Sequence, residues 1–237
     1  MESREKGFTL IELAVAAFII ALLLGSLLVP LTTQVEQRQI SDVQKTLEEI
    51  KESIIGFAAA NGYVPGPDKI AAAGAGTMND GQEDVNAGAC VTLEGNLPWV
   101  TLGVASTDPW GNRFRYRVAG TFAQRAPLST FMITTTSSVE VCAVTGCATR
   151  LTTSTDGPPA VILSHGRNGY GAINSSTGVA NAAATSTDEL ENTNGNTTYV
   201  YRVATGLGAT AGEFDDIVVW ISRNVLLNRM ITAGKLP

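Results

Sequence analysis

"KGFTLIELAVAAFIIALLLGSLLVP", residues 6–30, decides how this chain is read. From Leu13 to Leu31 it carries no charge, close to the roughly 20 apolar residues that one helix needs to cross a bilayer core. The run ends in "LLVPLTTQ" (27–34), without the small-residue cleavage site of a secretory signal peptide, so it reads as a retained anchor. Arg4 and Lys6 precede it, which places the amino terminus on the cytoplasmic side and the rest of the chain across the membrane. Glu12 stands at the near edge of the apolar run, with no opposite charge in its own segment. A carboxylate in hydrocarbon costs about 3 kcal/mol, so an ionisable residue at this place is a functional-site candidate whose partner must be sought elsewhere.

"KGFTLIEL" followed by an apolar helix closely resembles the processing signal of type IV pilins and of the pseudopilins of type II secretion. The resemblance implies that a prepilin peptidase cuts between Gly7 and Phe8 and that Phe8 becomes the N-methylated amino terminus. It also implies that Glu12 is the assembly residue, paired with the amino group of a neighbouring subunit's Phe8. Gly7 suits such a cut, because without a side chain its carbonyl is open to close approach. The family tends to carry a proline in this helix; here it is Pro30, one position later than usual, and it is expected to kink or melt the helix locally.

The helical pattern continues beyond the apolar run. Ile40, Val43, Leu47, Ile50, Ile54 and Phe57 recur at helical spacing, while Asp42, Lys45, Glu48, Lys51 and Glu52 take the other positions. One face packs and the other meets water. Asn61-Gly62 and Pro65 end the helix. The expected organisation is a leader at 1–7, a long helix at 8–61, a loop-rich connector at 62–106 and a β-rich head at 107–237 with a short C-terminal helix.

Strand-like runs lie at 114–120, 129–136, 139–144, 160–166 and 198–204, with a last strand running into a helix over 214–231 that Ser222 could cap. The fold class is therefore α+β, a long helix packed on an antiparallel sheet. "RFRYRV" (113–118) reads as a strand with one solvated face, and the Ser/Thr/Asn-rich segment 172–197 as a surface loop. "TDPWGNRFRYRV" (107–118) resembles the Asp-Pro-Trp-Gly-Asn segment of major pseudopilins, where a turn leads into the first strand of the sheet.

The formal charge of −6 and pI near 4.8 leave no basic stripe for phosphate contacts, so nucleic acid is not an expected partner. Of the three cysteines, Cys142 and Cys147 are spaced to meet across a tight hairpin, leaving Cys90 over, although an odd count keeps other pairings open. Ser164-His165 reads as a polar turn after a strand rather than part of a triad, and no catalytic residue is assigned.

Asp80, Gln82, Asp84 and Asn86 alternate as oxygen ligands do in calcium loops, but without the glycine and distal glutamate at their fixed places. Major pseudopilins order a loop near the carboxyl terminus with calcium, which makes Asp188, Glu189, Glu191, Asp215 and Asp216 a second pool for a structural calcium ion, with no ligand set assigned. The resemblance as a whole implies a non-enzymatic subunit of a type II secretion pseudopilus. The alternative is a major or minor type IV pilus subunit whose head loops bind a surface, a substrate or DNA. The implied partners are the prepilin peptidase, other copies of the chain, other pilin-like subunits and an inner-membrane assembly platform. The implied location is the bacterial inner membrane, with the head in the periplasm.

Overall fold

The computed structural model describes residues 9–153 and 155–236, and within its first helix the side chains of 24–32 lie outside the described residues. In chain order the elements are α1 (Leu10–Asn61), β1 (Val85–Asn86), β2 (Ala89–Cys90), β3 (Glu94–Asn96), α2 (Trp99–Leu102), β4 (Arg115–Val118), α3 (Gly120–Ala123), β5 (Glu140–Cys142), β6 (Ala160–Ser164), α4 (Thr187–Glu191), β7 (Thr198–Val200), β8 (Ile217–Trp220) and α5 (Arg223–Thr232).

The chain divides into two compact units, Met1–Asp42 and Val43–Pro237. In the first, the apolar side chains of α1 point outward: Leu10 is 88% exposed and Phe18 68%. Among the described residues no helix is long and apolar enough to cross a membrane. The span expected at 13–31 takes in part of the 24–32 stretch. α1 is helical through Pro30, and the kink expected there rests on a side chain outside the described residues.

In the second unit the amphipathic pattern becomes the core. Val43, Leu47, Ile50 and Ile54 are buried, joined by Ile55 and Ala58, while Lys45, Glu48 and Glu52 stay exposed. Phe57, at the end of the stripe, is half-buried and packs edge-on against Tyr63. The principal sheet has the order β3-β4-β6-β8 and is antiparallel throughout. Its central strand β6, Ala-Val-Ile-Leu-Ser, is buried at every position, the pattern of a strand covered on both faces.

That double covering corrects two expectations. Side chains alternate across a strand, and on β4 Tyr116 and Val118 enter the core cluster with Leu47 and Ile54. Arg115 and Arg117 face the other way, yet each is only 9% exposed. The face read as solvated is covered. Both guanidinium groups pair with Glu94 of β3, Arg115 also donates to the Gly171 carbonyl at 2.9 Å, and Arg117 donates to the Gly195 carbonyl at 3.3 Å. Segment 172–197 is a surface loop only in part: 176–180 and 194–196 are exposed, but it contains α4, and Ala172, Ala184, Asp188, Glu189 and Asn192 within it are buried.

Three further expectations change. The stretch 62–106, read as a connector, supplies the edge strand β3 and the core residues Val64 and Leu97. Residues 129–136 form no strand; Phe131 joins the core, and the carbonyls of Ile133 and Thr135 accept from Arg223 rather than from a neighbouring strand. A parallel pair stands beside the antiparallel sheet, because β5 and β7 form a separate two-stranded sheet with Cys142 opposite Val200. β8 runs into α5 at Ser222, whose carbonyl accepts from Leu226 N–H at 3.0 Å, but its side chain makes no capping bond.

The Asp-Pro-Trp-Gly-Asn turn feeds β4 by a simple device. Asp108 Oδ1 accepts the N–H groups of Trp110 (3.0 Å) and Asn112 (2.9 Å), its Oδ2 accepts the Ser164 hydroxyl (2.7 Å), and Gly111 takes a φ of +84° that a side chain would strain. Ile54 has no exposed surface, so Ile54→Ala should lower the unfolding free energy by about 2–5 kcal/mol through lost burial and a residual cavity. Urea unfolding of the full chain in detergent micelles measures it, and a loss below about 1 kcal/mol would show that the α1 stripe does not organise the core.

Candidate functional site

Two places carry chemistry. At the start of α1 the Glu12 carboxylate folds back on its own helix end: Oε2 accepts the Thr9 N–H at 2.9 Å and the Thr9 hydroxyl at 2.8 Å, while Leu13 N–H bonds the Thr9 carbonyl at 3.1 Å. Thr9-Leu-Ile-Glu12 is a capping box, in which the N-terminal donors of a helix are satisfied reciprocally, and the negative charge also suits the positive end of the helix dipole. This corrects the reading of Glu12 as lacking a partner in its own segment. The pattern Thr-x-x-Glu was available in the sequence as the signal. Gly7 and Phe8, the expected cleavage pair, lie outside the described residues.

The second place is an acidic cluster. Glu189 of α4 and Asp215 and Asp216, just before β8, bring one carboxylate oxygen each to within 4.8 Å of one another. One oxygen of each is held by an amide. Glu189 Oε1 accepts from Asn168 Nδ2 (2.9 Å) and Asp215 N–H (3.1 Å). Asp215 Oδ2 accepts from Asn168 N–H (2.8 Å). Asp216 Oδ2 accepts from Asn192 Nδ2 (2.7 Å).

The opposite oxygens are left over: Glu189 Oε2 and Asp215 Oδ1 are buried and without a hydrogen-bond partner among the described residues, and Glu189 as a whole is only 1% exposed. Asp216 Oδ1 faces His165 Nδ1 at 3.4 Å. Gly166, at φ +58°, makes the close approach possible, since a Cβ there would lie 2.3 Å from the Asp215 carbonyl oxygen and 2.5 Å from its Oδ1.

Three carboxylates so placed repel one another. Burial pushes Asp215 up from 3.8 to about 7, against the Asn168 N–H bond and with help from the charges of Asp216, Glu189 and Glu213. Burial likewise raises Glu189, opposed by its Asn168 bond and aided by Asp216. Buried carboxylate oxygens with fixed orientation and no donor fit a hard cation, which takes oxygen ligands.

Of the five acidic residues pooled from the sequence, Glu189, Asp215 and Asp216 come together. The other two do not. Asp188 turns away to Thr145 and Arg202, and Glu191 binds Asn194 and Asn196. In the earlier acidic stretch the alternation is also dispersed: Asp80 accepts from Gln82 N–H in its own turn, Asp84 is buried and accepts from Lys69 N–H, and Asn86 lies on β1. Asn168 and Asn192, which aim the carboxylates, were invisible in the sequence because nothing local marks a long-range orienting amide.

Cys142 and Cys147 are joined by a disulfide, and Cys90 is free. Those two sulfurs lie near Glu140 but, being bonded to each other, offer no thiolate to a metal. Ser164 and His165 are buried, not an exposed polar turn. The Ser164 hydroxyl goes to Asp108, and His165 Nε2 accepts from Arg115 Nε at 3.1 Å, so no hydrogen bond joins serine to histidine.

Residues 3–28 match the family model described as the prokaryotic N-terminal methylation motif. The chain carries the prepilin signal of type IV pilin-like proteins. No curated protein and no solved structure matches it. The signal implies processing by a prepilin peptidase and assembly of the pilin kind in general.

A pH test isolates the acidic cluster. With a folded value near 7 against an ordinary 3.8, folded Asp215 keeps a proton that the unfolded chain releases. Its contribution to stability is whole below about pH 4 and is lost as pH rises through about 7. Asp215→Asn cannot ionise, so in the presence of a chelator it should gain stability relative to the wild type as pH rises from about 4 to about 8. Paired thermal melts measure the difference, and a gap that does not grow with pH would show that burial among its acidic neighbours does not raise Asp215.

Proposed function

We propose that this protein is a structural subunit of a type II secretion pseudopilus, cut between Gly7 and Phe8 and polymerised through the first part of α1. The observation that carries this reading is the methylation motif over residues 3–28, leading into a helix with an outward apolar surface. Such a surface needs lipid before assembly and neighbouring helices after it. In this account residues 13–31 span the inner membrane, the head lies in the periplasm, and the work of the chain is mechanical rather than catalytic. The Asp108 turn into β4 supports the secretion pseudopilus over an adhesive or motility pilus.

Glu12 then has two states. In a lone subunit it caps α1 through Thr9; on assembly it accepts the amino group of a neighbour's Phe8, so that two costly charges neutralise one another. The acidic cluster adds a structural role. Glu189, Asp215 and Asp216 would hold a calcium ion, which supplies the positive charge that the three carboxylates lack. The ion would tie α4 to the start of β8 and fix the layer over the arginine face of the sheet.

The two roles of Glu12 are separable. Glutamine serves a capping box as glutamate does but cannot neutralise an amino group. Glu12→Gln should therefore keep the helix and lose filament assembly as fully as Glu12→Ala. Counting assembled filaments against membrane-held subunit decides it, and normal assembly by Glu12→Gln would reduce Glu12 to a cap.

A further inference from the structure

We infer that the Cys142–Cys147 hairpin positions the acidic cluster, so that cation binding and the disulfide stabilise one another. The inference rests on the calcium reading of Glu189, Asp215 and Asp216 given above. Two routes join the hairpin to the cluster.

The first route runs through Thr145, inside the disulfide loop. Its N–H donates to Asp188 Oδ1 at 3.0 Å, and its hydroxyl lies 2.9 Å from the same oxygen and 3.0 Å from the Thr187 carbonyl. Arg202 Nε holds the other oxygen of Asp188 at 2.7 Å. Asp188 is not in the cluster, but it immediately precedes Glu189 on α4. A fixed Asp188 therefore fixes the backbone from which Glu189 reaches its partners.

The second route uses the parallel pair. Cys142 sits opposite Val200, and its carbonyl accepts Tyr201 N–H at 2.9 Å. Val200 is gripped on both sides by Asn192, whose Oδ1 accepts the Val200 N–H (2.7 Å) and whose Nδ2 donates to the Val200 carbonyl (3.1 Å). That same Nδ2 donates to Asp216 Oδ2. The disulfide thus constrains two of the three carboxylates, Glu189 through Thr145 and Asp188, and Asp216 through the β5–β7 pair and Asn192.

Closing a short loop with a covalent bond removes conformations in which Thr145 and Asp188 part. A site whose ligands are held in place binds its ion with less ordering to supply, and linkage makes the effect reciprocal. Thr145 is a positioning residue here, and the consequence for redox chemistry is defined. A dithiol delivers two electrons and two protons to the Cys142–Cys147 bond, giving two cysteine thiols and its own disulfide. Bound calcium should shift that equilibrium toward the protein disulfide by the factor by which the disulfide tightens calcium.

The test uses the full chain in detergent micelles, with calcium affinity measured by calorimetry and the disulfide poised against dithiothreitol. Thr145→Val keeps the shape and removes the hydroxyl; it should weaken calcium binding about fivefold to tenfold, the lower range of allosteric couplings. Thr145→Ser should restore it. Saturating calcium should move the dithiothreitol equilibrium of the wild type toward the disulfide, and by less in Thr145→Val. Calcium bound equally by wild type and Thr145→Val, or a dithiothreitol equilibrium indifferent to calcium, overturns the coupling while leaving the calcium site standing. A wild-type chain that takes up no calcium overturns both.

Discussion

Glu94 is the constraint on which the second unit depends. β4 needs Tyr116 and Val118 for the core, and the alternation of a strand then sends Arg115 and Arg117 to the far face. Two guanidinium groups buried there without a counter-charge would cost several kcal/mol each. Glu94, on the neighbouring strand and in register with Arg117, pairs with both and also accepts the Tyr199 hydroxyl at 2.6 Å. With one of the two positive charges neutralised and each guanidinium also donating to a carbonyl, Gly171 or Gly195, the face can be roofed, and the roof is the segment that carries Glu189.

Seen this way the second unit has a polar layer and an apolar one on opposite sides of a single sheet. The apolar side is the packing of α1 stripe residues with Tyr116, Ile162 and their neighbours. The polar side is a set of oriented amides and carbonyls: Asn168, Asn192, Gly171 and Gly195 each satisfy a named charge or backbone group. Buried polar networks of this sort are stable only when nearly complete. This one is incomplete at several atoms, Arg117 Nε and His165 Nδ1 among them, and its two unpartnered carboxylate oxygens, Glu189 Oε2 and Asp215 Oδ1, are where a cation is to be looked for.

Much of this was legible in the sequence wherever the determinant is local. The processing signal, the helical stripe from Val43 to Ile54, and the strands around Tyr116, Ile162, Tyr199 and Val219 follow from order and periodicity. What was not legible depends on distant partners. Arg115 and Arg117 look solvated until the roof is known, and 129–136 has the composition of a strand but gives its carbonyls to Arg223. The acidic pool could be written down, yet only the fold shows that Asp188 faces Thr145 and Glu189 faces Asp215. Glu12 is the opposite case: its capping partner Thr9 stands three residues away, and the Thr-x-x-Glu pattern is wholly local.

The central claim is that the signal around residues 3–28 is used and that the subunit enters a filament with a new amino terminus. Mass spectrometry of the protein purified from its own membranes tests this most directly. The account predicts a mature chain that begins at Phe8 and carries a methyl group on its amino nitrogen. A chain that still begins at Met1 in assembly-competent cells would contradict it.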